Sequence, residues 1–143
     1  MHLFNIPLWA LVAYGVVVGL FALWRGGWSE RAVAAALLVE FILEPRLVFL
    51  SWRLPSWFIP GWDVVILATC VACALRGRRY WTIAASSFAL LEVVTTLLRF
   101  VPGVGTWAYM SAERVWTILL VATLAVGAGA AGYRPPRPAS VNA

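Results

Sequence analysis

The stretch Tyr80–Phe100, YWTIAASSFALLEVVTTLLRF, decides how the rest of the chain is read. It is apolar or weakly polar throughout, apart from Glu92 in its interior and Arg99 at its end. About 20 such residues in a helix cross a hydrocarbon core of roughly 30 Å. Glu92 lies twelve residues beyond Tyr80, so at a rise of about 1.5 Å per residue it sits roughly 18 Å in, slightly past the midplane. An ionised carboxylate at that depth must be protonated, paired, or turned toward a polar cavity.

The remainder of the sequence has the same character. Hydrophobic residues make up 63% of 143 positions and charged residues 12%, and mean hydropathy is +0.87. Soluble domains sit near 45–50% apolar and 25% charged, so this is the composition of a membrane protein. At this length five crossings with short loops use up the chain, leaving no room for a soluble catalytic domain. The formal charge of +5 comes from arginine alone, since there is no lysine. An arginine-only, alanine-rich usage suits a GC-rich bacterial genome. The arginines fall in small groups between apolar runs, which fits orientation in a bilayer better than binding of nucleic acid.

Five spans are predicted, over about Phe4–Trp24, Arg31–Trp52 (interrupted near Pro45), Gly61–Leu75, Tyr80–Phe100 and Tyr109–Gly132. The third is short and is expected to extend back through SWFIPGW. The first has no basic leader before it and no small-residue cleavage site after it, and reads as a retained span. With the N-terminus outside, the cytoplasmic segments hold Arg25, Arg31, Arg76, Arg78, Arg79, Arg134 and Arg137, against Arg46, Arg53, Arg99 and Arg114 outside. Arginine bias therefore favours an N-out, C-in bundle; four spans plus a re-entrant segment at 45–60 is the competing count. Trp24, Trp28, Trp57, Trp62, Trp81 and Trp107 fall at predicted helix ends, where an amphipathic ring sits at headgroup level. The chain reads as a single transmembrane domain over 1–133, followed by a proline-rich cytoplasmic tail over 134–143 that should be extended or disordered.

An internal echo at an offset of 52 pairs Trp28 with Tyr80, Ala32 with Ala84, Leu38 with Leu90 and Glu40 with Glu92. Spans two and four would then run in the same direction, each with a glutamate at one depth. A proton or cation site between them would use Glu40 and Glu92, with Thr95 and Thr96 one turn further out. The alternative is that each acid hydrogen-bonds across a helix interface and holds the bundle together, with Arg99 and Arg46 reaching inward as partners. Both readings stay open.

Small-residue surfaces form a second group. Gly15 and Gly19 in GVVVG let two helix backbones approach closely, and Gly127, Gly129 and Gly132 thin the end of the fifth span. Packing within the chain explains either surface, but so does docking against another membrane protein. Cys70 and Cys73 in CVAC fall mid-helix in an apolar span. They share a face but are poorly placed for a disulfide, so they read as small packing residues. His2 is the single histidine, so a His-based metal site or bis-histidine haem is not expected. No nucleophile–histidine constellation or phosphate-binding loop is present, and no catalytic residue, metal or cofactor is assigned.

Two segments, LRGRRYWTIAASSFALLEVVTTLLR (75–99) and TWAYMSAERVWTILLVATLAVG (106–127), resemble small polytopic inner-membrane proteins of alphaproteobacteria, a family of unknown function. The shared features are an arginine pair before an aromatic pair, then a tryptophan-alanine-tyrosine entry with a tryptophan six residues after Met110. The resemblance implies an inner-membrane location and brings no activity. Members often lack an acid at the position of Glu92, which weighs against a catalytic role there. The expectation is thus an all-α, polytopic bundle in contact with lipid. Its first functional reading is a non-catalytic accessory or assembly subunit packed against a larger inner-membrane complex, or against copies of itself. The second is a small homo-oligomeric proton- or cation-coupled transporter. A lipid- or quinone-binding groove shaped by the tryptophans is a third.

Overall fold

The computed structural model describes residues 7–50, 58–77, 79–103 and 105–131. They form five α-helices, α1 (Leu8–Arg25), α2 (Trp28–Leu50), α3 (Phe58–Gly77), α4 (Tyr80–Leu97) and α5 (Thr106–Ala131), with a 3₁₀ turn over Leu98–Phe100. No strand occurs among the described residues. The expected tail over 134–143 and Gly132 lie outside them.

Each boundary has a local cause. Pro7 precedes α1 in extended backbone, and Gly26 ends the helix with its own N–H bonded back to Ala22 O. Pro60 falls in the first turn of α3, where a missing N–H leaves no intrahelical bond unmade; α3 does reach back over Phe58–Trp62. After the 3₁₀ turn, Gly103 takes a φ of 93°, a left-handed conformation that glycine adopts without strain. The predicted break near Pro45 is not found. α2 continues as helix through the proline to Leu50, losing only the bond that the proline nitrogen cannot donate. α5 begins at Thr106, ahead of the predicted start at Tyr109.

Three of the five helices are long and apolar enough to cross a membrane, over Pro60–Gly77, Tyr80–Phe100 and Trp107–Ala131. The first is apolar but shorter, over Trp9–Arg25. In α2 the apolar run is interrupted by Glu30, Arg31, Glu40, Glu44 and Arg46. Large apolar side chains such as Val17, Leu20, Leu75, Ile83 and Val126 face outward, where acyl chains are the natural solvent for them.

The helices close into a ring in chain order, each against its sequential neighbours and α5 back against α1, with α2 also touching α5 across the interior. Sequential neighbours are antiparallel, so α1 and α5 run parallel where the ring closes. Gly15 meets Phe41 and Gly19 meets Leu38, while Trp81 meets Gly127 and Thr95 meets Trp116. Partner numbers thus fall along one helix as they rise along the other. The core is built from Val18 and Ala22 of α1, Leu37 and Phe41 of α2, Ile66 of α3, Ala85 and Ala89 of α4, and Leu120, Val121, Leu124 and Ala128 of α5. α4 and α5 form the broadest seams, because alanine on one side lets leucine and valine of the other seat deeply.

Candidate functional site

Polar side chains buried in a bilayer-depth core are expensive, so their placement carries the most information about what such a bundle does. One group lies where α3, α4 and α5 meet. Glu92 is 3% exposed; its Oε1 accepts a hydrogen bond from the Thr117 hydroxyl, which also lies 3.0 Å from Glu113 O. Cys70 of α3 is buried near Glu92. One turn along, the indole N–H of Trp116 donates to Thr95 Oγ1 at 3.0 Å. These contacts alone would make Glu92 a polar staple between α4 and α5.

The next turn of α4 is different. Thr96, four residues after Glu92 and on the same face, is buried beside Asp63 of α3, and the Arg99 guanidinium lies within electrostatic range of that acid. Asp63 is only 4% exposed. Yet Asp63 Oδ2, the Thr96 hydroxyl and the neighbouring Trp62 Nε1 make no hydrogen bond of normal geometry among the described residues. Each polar group buried in this way costs about 1–3 kcal/mol, and more where lipid replaces water outside. Three such atoms lie at this end of the α3–α4 pair, and Trp81 Nε1 is left in the same state elsewhere in the bundle.

A second polar group closes the opposite end. Glu30, in the first turn of α2, is fully buried and pairs with Arg79, the residue preceding α4. Ser29 Oγ donates to Glu30 Oε2 at 2.9 Å, and the Cys73 thiol lies 3.8 Å from Ser29 O. Glycines make room for this clasp. A Cβ on Gly26 would stand 2.5 Å from Glu30 Cβ, and one on Gly27 would stand 3.0 Å from Glu30 Oε2.

The sequence-predicted residues are distributed unevenly over these groups. Glu92, Thr95, Thr96 and Arg99 gather at the α3–α4–α5 junction. Glu40 does not join them. α2 and α4 run in the same direction, as the repeat suggests, but α3 stands between them and they share no contact among the described residues. Glu40 is half-buried on α2. The side chain of Arg46 lies outside the described residues. Asp63, Glu30 and Thr117 were not singled out.

At three of the glycines the structure shows the packing alternative. Gly15 and Gly19 receive Phe41 and Leu38, and Gly127 receives the Trp81 ring, against which a Cβ would stand 2.6 Å away. These surfaces are filled from within the chain and offer nothing to another protein. Gly129, the remaining described glycine of these helix-packing candidates, faces open space. Trp81, read as an interfacial ring, is turned inward by the same contact, whereas Trp24, Trp28 and Trp107 are exposed as expected. Cys70 and Cys73 are free, buried thiols. Among the described residues, no three histidine, cysteine or acidic side chains gather closely enough to hold a metal. No family model, curated protein or solved structure matches the chain.

Proposed function

We propose that the chain is a multi-pass protein of the bacterial inner membrane, N-terminus outside, whose α3–α4–α5 junction takes up and releases a proton. The observation that carries this reading is the Asp63–Thr96 pair, buried at one end of the α3–α4 seam without a hydrogen bond of normal geometry. A proton or a proton-carrying water supplies what is missing there, because a protonated carboxyl gains a donor and sheds its charge. A metal ion suits the place less well. Hard cations take six or more oxygen ligands. Glu92 with Thr117, one turn inward, gives the proton a second carboxylate on the same face of α4. The arginines at the α1–α2 and α3–α4 turns support placing those turns in the cytoplasm.

The accessory-subunit reading is kept as the second, favoured by one observation: Gly129 with its open surroundings and the exposed Val126 leave a thin strip on α5 unoccupied. Proton flux into vesicles containing the purified chain separates the two. Flux that falls at least tenfold in both Asp63→Asn and Glu92→Gln supports proton handling. Flux unchanged by either substitution rejects it. Absence of flux from the isolated chain, together with co-migration with larger proteins in mild detergent, supports the accessory role.

A further inference from the structure

The end of the bundle opposite Asp63 presents a cationic rim. Arg25 closes α1, Arg31 lies in the first turn of α2, Arg76 in the last turn of α3, and Arg79 just before α4. Gly26 and Gly27 join the first pair of helix ends, and the Glu30–Arg79 ion pair ties the start of α2 to the start of α4. All four arginines are exposed. The single acid at this end, Glu30, is wholly buried and engaged by Arg79, so among the described residues nothing at the surface neutralises Arg25, Arg31 or Arg76. Trp24 and Tyr80 stand beside them, 79% and 90% exposed, and amphipathic rings of this kind settle at the depth of lipid headgroups.

We infer that this rim is a binding site for the phosphate headgroup of an anionic phospholipid. Guanidinium groups make short, charge-assisted bonds to phosphate oxygens, and the flanking rings set the lipid glycerol and acyl chains against the bundle. The occupant is a lipid and not a soluble anion, because the exposed rings and the apolar helix surface continue directly from the charged rim. The site does not depend on what the α3–α4–α5 junction does.

The test uses the full chain purified in detergent, with phosphatidylglycerol and phosphatidylcholine as ligands and native mass spectrometry as the readout. The wild type should bind phosphatidylglycerol at least tenfold more tightly than phosphatidylcholine. Each basic side chain near a lipid surface contributes about 1 kcal/mol, so the Arg25→Gln/Arg31→Gln/Arg76→Gln variant should bind the anionic lipid about a hundredfold more weakly. Arg79 is left intact because it holds Glu30. Equal affinity for the two lipids, or an unweakened triple variant, overturns the inference. So does displacement of the lipid by millimolar inorganic phosphate, which would assign the rim to a soluble anion. Should the triple variant fail to fold, the corresponding Arg→Lys triple keeps the charges: retained preference for phosphatidylglycerol supports the site, and its loss overturns it.

Discussion

Replacing Arg79 by glutamine should destabilise the protein more than replacing its partner, and the asymmetry follows from where the two side chains sit. Glu30 is completely buried, whereas the Arg79 side chain is 46% exposed. Removing one partner of a buried ion pair costs about 3–5 kcal/mol, because the other charge stays behind without compensation. Here the open end around Arg79 admits water, and Ser29 Oγ still donates to Glu30, so the loss should be about 2–3 kcal/mol. Glu30→Gln instead releases Arg79 into water and leaves an amide that can accept from Ser29, a loss of about 1 kcal/mol. The double variant should resemble Glu30→Gln, which gives a coupling of about 2–3 kcal/mol in a double-mutant cycle. For a chain of this size Arg79→Gln should lower the unfolding midpoint by roughly 8–12 °C, measured by helix content on heating in one detergent. A midpoint within about 2 °C of wild type, or strictly additive losses, would show that the clasp does not hold the two helix starts together.

The glycine contacts make a graded series. Gly15→Val and Gly127→Val should each lose about 1–3 kcal/mol through forced repacking of Phe41 and Trp81, while Gly129→Val should change stability by less than about 0.5 kcal/mol, since it meets open space; equal losses at all three positions would contradict the packing described. Thr117→Val removes the donor to Glu92 and should cost about 1–3 kcal/mol, whereas Thr123→Val, whose hydroxyl bonds only its own helix at Leu119 O, should be close to neutral on the same unfolding assay. Cys70 and Cys73 are buried and reduced, so a thiol reagent should modify neither in the folded protein and both after denaturation; rapid labelling of the native chain would mean that the α2–α3 seam opens readily.

How far the sequence carried the structure can be read from single residues. Helix ends were legible because arginine, tryptophan, proline and glycine interrupt apolar runs at them, as at Arg25–Gly27 and Arg79–Tyr80. Gly15, Gly19 and Gly127 were recognisable as close-approach positions, since absence of a side chain is a local property. What fills each gap is not local: Phe41 and Leu38 are on the next helix, and Trp81 is on the neighbouring wall. The same limit governs the acids. Spacing placed Glu40 and Glu92 at similar depth and in the same direction, but depth does not say which helices are adjacent, and α3 separates them. Asp63 and Glu30 did not stand out, because each lies within a few residues of a helix start. Burial by a neighbouring element took them inside, and no periodic pattern records that.

The closing of the ring by its last helix has a consequence for biogenesis. Until α5 has left the ribosome, α1 and α4 each display a flank meant for it, and the first four helices form only an open arc. Newly made chains would therefore wait in the insertion machinery with two sticky edges. A stop codon anywhere before Thr106 should yield a product cleared by membrane proteases, not a smaller working protein.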